Sequence, residues 1–374
     1  MHAMELVKPD GRKLTLYAQH PLDAQPGAPS PFSEPIGASP HLRWHPLRGE
    51  WVSYAAYRQN RTFLPPPEYN PLAPTGDPAF PTELPGGNWE VAVFDNRFPS
   101  LARPTDGDAV IPLTTVPTAP ANGVCEVTVY TQDTQSSLGH LPLSHIELLL
   151  RVWADRTDRL AQDPAIQYVM PFENRGVEVG ATLHHPHGQT YAYPVVPPVP
   201  ARMLSQAATY FAAHGRGVLE DLIARERADG KRMLYEGPHA VAFVPPCARY
   251  PYEVWVAPIA ATGSFADLDD AQRADLARAL KTVLLKYDGL WQRPMPYLMA
   301  WYQAPTDGLP HPEVHLHAEF YPPHRSRDRL KYLAGTEIGA GFFAVDALPE
   351  EKARELQQVP VTLAHERPRG DENL

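Results

Sequence analysis

Residues 173–189 read Glu173-Asn-Arg-Gly-Val-Glu-Val-Gly-Ala-Thr-Leu-His-His-Pro-His-Gly-Gln189. Three histidines, a threonine, a glutamine and flanking glycines gather around a turn that runs into a strand-like stretch. In a strand, side chains two apart share a face, so this spacing predicts one face for His185, His187 and Gln189. Pro186 restricts the backbone between the histidines. Gly188 lets another group approach closely. With 16 histidines in 374 residues, roughly 0.7 His-x-His pairs are expected by chance, and two are present. The second is His315-Leu-His317, 130 residues downstream of the first.

The surroundings of the two pairs also repeat. Cys125–Tyr130 alternates as a half-buried strand. Ser144–Leu160 carries Ile146, Leu149, Leu150, Val152 and Trp153 at helical spacing, and Tyr168–Phe172 is strand-like. In the second half, Glu253–Pro258 is predicted as a strand, about Leu268–Tyr287 as a helix, Tyr297–Tyr302 as a strand and Val314–Tyr321 as the strand bearing His-x-His. A period this long does not describe a solenoid; it describes a duplicated domain. The expected class is α+β: two histidine-containing units, 1–200 and 201–374, each an antiparallel sheet flanked by helices. Further elements expected are strands at Trp51–Tyr57, Trp89–Phe94 and Val241–Pro245, one helix over Met203–Ala228 and another over Ala347–Gln358. Residues 1–40 are expected to wrap the surface, residues 64–88 to form an irregular loop and the last residues a charged tail.

Composition bounds the function. The 374 residues carry a formal net charge of −10 and 43% hydrophobic residues, enough for a sizeable core. The 44 prolines are more than twice the usual share of roughly 5%, which indicates a loop-rich but folded chain. The acidic balance argues against nucleic-acid or anionic-membrane partners. Cys125 and Cys247 alone make neither a disulfide framework nor a cysteine-based metal cluster. No 18-residue apolar run is present, and Met1–Asp10 lacks the apolar core of a signal peptide, so a cytoplasmic location is expected.

Two imidazoles and an amide on one face suit attack on phosphorus. A neutral imidazole nitrogen is available as a nucleophile near pH 7. An amide and backbone N–H groups stabilise charge on the phosphoryl oxygens. The other nitrogen of the nucleophilic ring needs an acceptor that fixes its tautomer. His315 and His317 are read as structural, because Glu319 replaces the amide that follows the first pair.

His185-Pro-His-Gly-Gln189, with Glu173-Asn174-x-Gly176 upstream, resembles the galactose-1-phosphate uridylyltransferase family of the histidine-triad superfamily. Arg58-Gln-Asn-Arg61, Phe94-Asp-Asn-Arg-Phe-Pro99, Leu316–Pro323 and Arg325-Ser…Lys331-Tyr-Leu-Ala-Gly-Thr-Glu337 also have family counterparts, in family order from about residue 43 to 340. The resemblance implies that His187 is the nucleophile, with His185 and Gln189 beside it. His187 then takes a uridylyl group from UDP-glucose and passes it to galactose 1-phosphate. Gln189 and Thr182 match phosphate contacts. Arg58, Arg61, Asn96, Arg97, Glu173, Asn174, Gly180 and Ala181 match other substrate-site positions. Lys331, Tyr332, Thr336 and Glu337 match a segment that reaches the partner's active site, so a homodimer is implied.

Several positions depart from the family pattern. Its zinc-binding Cys-x-x-Cys aligns with Asn70-Pro-Leu-Ala73 and its third ligand falls near Thr134, leaving only His185. At its iron site Tyr302 and Glu319 replace histidines and a glutamate falls near Met203, leaving only His317. Phe343 stands where a phosphate-contacting glutamine is expected. The expectation is therefore an enzyme without metal or other cofactor. Two alternatives stay open: a phosphorylase of a nucleoside diphosphate sugar or dinucleoside polyphosphate, and a non-catalytic nucleotide-sugar-binding protein.

Overall fold

In chain order the strands of the first half are β1 (His2–Val7), β2 (Lys13–Ala18), β3 (His41–His45), β4 (Glu50–Tyr54), β5 (Val91–Asp95), β6 (Thr118–Pro120), β7 (Val124–Val129), β8 (Tyr168–Arg175) and β9 (His187–Tyr193). Those of the second half are β10 (Met233–Glu236), β11 (Ala240–Phe243), β12 (Val254–Pro258), β13 (Tyr297–Tyr302), β14 (His317–Tyr321), β15 (His324–Ser326) and β16 (Arg329–Leu330). The helices are α1 (Leu143–Ala161), α2 (Pro198–His214), α3 (Val218–Asp229), α4 (Asp270–Leu290) and α5 (Pro349–Gln357). This computed structural model describes residues 1–25, 27–35, 39–60, 69–103 and 114–363. Arg61, part of the proline-rich loop and most of the charged tail lie outside the described residues. No described helix is long and apolar enough to cross a membrane.

Eleven strands form one sheet in the order β1-β2-β5-β7-β9-β8-β13-β14-β12-β11-β10. The repeat is visible in that order. The path β7-α1-β8-β9 recurs as β12-α4-β13-β14, and the copies meet where β8 pairs antiparallel with β13. Gln189 pairs with Phe172, Phe172 with Ala300, and Ala300 with Glu319. Directly paired residues share a face, so Gln189 and Glu319 lie in one row on one side of a continuous sheet.

The opposite side holds the main core. Apolar residues of α1 and α4, with Trp153, Leu280 and Leu284 among them, pack against Met299, Trp301, Ala318 and Phe320. Trp153 and Trp301 rings lie 5.7 Å apart across the junction of the two halves. The Arg156 guanidinium of α1 donates to both Glu126 carboxylate oxygens of β7, at 3.0 and 2.6 Å, which locks the helix to its strand.

Three expectations are corrected. Residues 1–40 do not merely wrap the surface: β1 and β2 extend the sheet, and Leu14, Leu16 and Tyr17 are buried. The helix expected over Met203–Ala228 is two helices, because Gly215 adopts φ 67° and closes α2 as a left-handed cap. The strand at Trp51 also stops early. It ends at Tyr54, and Ala56–Asn60 is a 3-10 turn that carries Arg58.

Candidate active site

β9 begins at His187, so strand alternation sets His187, Gln189, Tyr191 and Tyr193 on one face and Gly188, Thr190 and Ala192 on the other. His185 precedes the strand, and the alternation does not govern it. Its ring is 2% exposed and turned into the turn's own support. His185 Nε2 lies 2.7 Å from the Thr131 carbonyl, and Asn70 Nδ2 lies 3.0 Å from His185 Nδ1. Asn70 Oδ1 accepts from the Leu72 N–H at 3.0 Å, so the Asn70 NH2 faces the imidazole. An NH2 donates, so Nδ1 accepts; a carbonyl accepts, so Nε2 carries the proton. His185 is thereby held neutral, and burial lowers its pKa.

The His185 backbone acts on the next histidine. His187 Nδ1 lies 2.6 Å from the His185 carbonyl, so Nδ1 carries the proton and Nε2 keeps its lone pair. Among the described residues none bonds that Nε2. Burial lowers the His187 pKa, which keeps the ring neutral near pH 7. Gln189 is oriented in a similar way. Asn96 Nδ2 donates to Gln189 Oε1 at 3.2 Å, while Asn96 Oδ1 accepts from the Phe98 N–H at 2.8 Å. The Gln189 NH2 is left to donate on the His187 face.

Gly188 is required between the two. A Cβ built there meets the Tyr130 hydroxyl at 2.0 Å and the Phe172 carbonyl at 2.7 Å. Upstream, Asn174 shares the face of Phe172 and Gln189, and its Nδ2 donates to the Val179 carbonyl at 3.2 Å. This closes a turn whose ends, Gly176 and Gly180, adopt φ 97° and 80°. Gly180, Ala181 and Thr182 run from that turn toward His187 and stay partly or fully exposed.

The other expected positions divide. Arg58 donates to the Phe98 carbonyl and sits beside Tyr191, whose hydroxyl burial pushes up to about 12 against the pull of that guanidinium. Arg97 turns toward the N-terminal segment: it donates to the Glu34 carbonyl at 2.8 Å and lies 4.5 Å over the Phe32 ring. Glu173 lies on the core side of β8, away from the His187 face. It is 4% exposed and accepts from the Tyr297 hydroxyl at 3.1 Å. Its pKa is raised to about 7 by burial, with Arg175 opposing. Lys331, Tyr332, Thr336 and Glu337 lie far along the chain, and the hydrogen bonds described for them close within residues 323–344. Lys331 Nζ lies 3.3 Å from Glu337, whose carboxyl is held down to about 2 by the Ala334 N–H and its neighbours. Tyr332 is 77% exposed.

The second His-x-His repeats this bonding atom for atom, up to a point. His315 Nε2 meets the Pro258 carbonyl at 2.8 Å, and His317 Nδ1 meets the His315 carbonyl at 2.8 Å. But His315 Nδ1 has no partner among the described residues, and His317 Nε2 faces Glu319 at 3.3 Å. Glu319 is 1% exposed and also bonds Arg249, at 3.0 Å, and Tyr321. A cavity of about 500 Å³ lies on this half, between α2, α3 and the sheet, and His187 is not among its lining residues.

The donor sets do not fit the metals that the resemblance raises. Ala73 has no donor atom, the Asn70 amide and both His185 nitrogens are engaged with protein groups, and Thr134 offers a hydroxyl. Structural zinc needs four N, S or O ligands in tetrahedral array. At the iron-type position the Tyr302 hydroxyl bonds Tyr321 at 3.1 Å, and Glu319 is committed to Arg249. Among the described residues no group of three His, Cys, Asp or Glu side chains is placed to hold an ion. Asn70 and Thr131 as supports of His185 were not assigned from sequence, and Asn96, expected at the substrate site, holds Gln189. The one available signal was Asn70 standing at a metal-ligand position.

Comparison with known proteins decides the family. The description "Galactose-1-phosphate uridyl transferase, N-terminal domain" matches residues 32–197, and its C-terminal counterpart matches 203–369. The chain belongs to the galactose-1-phosphate uridylyltransferase family. It is 36% identical over 327 residues to a galactose-1-phosphate uridylyltransferase of Thermotoga maritima, covering 86% of this chain and 99% of that one. A solved uridylyltransferase mutant superposes with a TM-score of 0.73 at 31% identity, over 85% of this chain and 98% of that one. An ADP-glucose phosphorylase of Arabidopsis thaliana, solved with bound ADP-glucose, gives 0.64 at 26% identity, over 86% and 100%. Membership of this family makes the protein a uridylyltransferase, with the duplicated α+β fold of its relatives.

Proposed function

We propose that the protein exchanges UMP between UDP-glucose and galactose 1-phosphate through a uridylyl group carried on His187. The observation that carries this reading is the fixed tautomer: His187 Nδ1 is committed to the His185 carbonyl, so Nε2 is the free nucleophile. Nε2 attacks the α-phosphorus and the bond to the β-phosphate oxygen breaks, releasing glucose 1-phosphate. The phosphate oxygen of galactose 1-phosphate then attacks the same phosphorus, which returns the lone pair to Nε2 and forms UDP-galactose. The imidazolium formed in the first step is stabilised by the His185 carbonyl. The Gln189 NH2, pinned by Asn96, is set to meet charge on the phosphoryl oxygens. Arg58, Asn174, Gly180, Ala181 and Thr182 supply the rest of the substrate site.

We assign the second copy no catalytic role. We also propose a homodimer: Tyr332, Ile338 and Phe342 are 77%, 62% and 72% exposed on the segment that carries Lys331 and Glu337, an apolar surface suited to a second copy.

Incubation with radiolabelled UDP-glucose and each acceptor in turn tests the reading. Turnover to UDP-galactose with galactose 1-phosphate is the expected result. Turnover with inorganic phosphate alone, giving UDP, makes the protein a phosphorylase like its Arabidopsis relative. No turnover with either acceptor makes it a binding protein.

A further inference from the structure

We infer that Asn70 is a positioning residue for the nucleophile, doing by hydrogen bond what a bound cation would otherwise do for this turn. The inference rests on His187 as nucleophile.

Donors and acceptors form a chain from the loop to the histidines. The Leu72 N–H donates to Asn70 Oδ1, which sets the amide. The Asn70 NH2 faces His185 Nδ1, so that nitrogen must accept. His185 Nε2–H then donates to the Thr131 carbonyl. With its ring fixed at both nitrogens, His185 presents its backbone carbonyl to His187 Nδ1. The carbonyl that fixes the His187 proton is thus carried by a residue whose ring is held in place by a loop asparagine.

The loop itself is anchored. Leu72 and Leu84 are buried with Leu14, Leu16 and Trp89. Glu83 pairs with Lys8 and with Arg12 at 2.8 Å, and all three side chains are nearly buried. Arg12 also donates to the Asp95 carbonyl at 3.2 Å, one residue before the Asn96 that holds Gln189. The hairpin β1–β2 thus ties both supports of the His187 face together. The second copy lacks this support: His315 Nδ1 has no partner among the described residues. A ring whose two nitrogens are already satisfied offers a zinc ion no lone pair.

Histidine 15N chemical shifts of the resting protein, read beside the rate of adduct formation from UDP-glucose, test the inference. The parent should show His185 as the Nε2–H tautomer, unmoved by one equivalent of zinc chloride alone. Asn70→Ala should keep the Nε2–H tautomer that the Thr131 carbonyl demands, but should shift the His185 Nδ1 resonance as its donor is lost and slow adduct formation about 10–100-fold, as loss of a partner that orients a reactive ring does, with KM unchanged. Asn70→Asp, which can only accept, should hold the ring with protons on both nitrogens and recover part of the rate. A His185 Nδ1 resonance unchanged in Asn70→Ala overturns the inference. So does a rate within twofold of the parent, or a zinc-dependent shift at Nδ1. If the parent forms no adduct at all, the nucleophile reading falls, while the Nδ1 resonance still judges Asn70.

Discussion

The two His-x-His strands are copies that share a backbone and differ in charge. In both, the first histidine donates to a carbonyl at or just past the end of a strand, Thr131 after β7 and Pro258 of β12, and accepts the second histidine on its own carbonyl. In the first copy the next residue on that face is Gln189, a neutral amide whose NH2 is available. In the second it is Glu319, a buried carboxylate already tied to Arg249, Tyr321 and His317. A phosphate approaching His317 meets negative charge and an occupied Nε2. One approaching His187 meets a donor and a lone pair. The proposed transfer site thus falls where the row carries an amide, and a charged network stands where it carries a carboxylate. On this proposal duplication supplies the scaffold, and the residue two places after the second histidine decides its use.

The two copies should differ most at the histidines themselves. His187→Ala should lower the transfer rate on the order of 10⁴-fold or more, as loss of a covalent nucleophile does. His317→Ala should leave the rate within a few-fold of the parent, and steady-state assays of both variants check the contrast. A large loss at His317 would show that the copies share the chemistry.

Next comes the amide. Gln189→Ala should cost about 10²–10³ in rate, the usual cost of a donor to developing oxyanion charge. Gln189→Glu, which imports the polarity of the second copy, should cost more than Gln189→Ala, while Glu319→Gln should leave turnover near the parent. Equal rates for the alanine and glutamate variants at Gln189 would mean that charge at this position does not discriminate the sites.

A smaller effect concerns the core side of the sheet. Glu173 occupies the position that Trp301 fills in the second copy, next to the central pairing of β8 and β13. Its facing groups are Tyr297, Tyr130 and Arg175, and Arg175 is paired with Asp288 at 2.7 Å. Burial raises the Glu173 pKa from 4.5 to about 7, so the folded state favours the protonated form. Stability from this group is therefore fully present below its unfolded pKa and is lost as pH rises through about 7. Glu173→Gln should flatten that slope and be more stable than the parent above pH 7, by about 1–3 kcal/mol. Denaturant titrations at pH 5 and pH 8 read it; parallel pH dependence in both proteins would contradict the assignment.

Much of this was legible in the sequence. The duplicated order of strands and helices, and the strand that carries His187 and Gln189, follow from periodicity and from the spacing of the two His-x-His pairs. What the chain conceals is what loops and faces decide. The β1–β2 hairpin is a weak signal beside proline-rich residues, and its Lys8, Arg12 and Asp10 read as surface charges until Glu83 buries them. Gly215 sits within helix-like sequence, and only its positive φ splits α2 from α3. Counting in twos puts His185 on the face of His187, but the strand starts after it. Glu173 carries a motif glutamate, yet the register with Gln189 turns it to the core. Asn70 gains its role only when the loop folds back 115 residues along the chain.

On the proposed function one copy of the duplicated strand carries UMP and the other does not. Trapping the protein with labelled UDP-glucose in the absence of acceptor, and locating the label by peptide mapping, separates the two. One acid-labile, base-stable UMP per chain is expected, on His187, with none on His317. Label on His317 or another residue, or undiminished turnover in His187→Ala with no adduct, would contradict it.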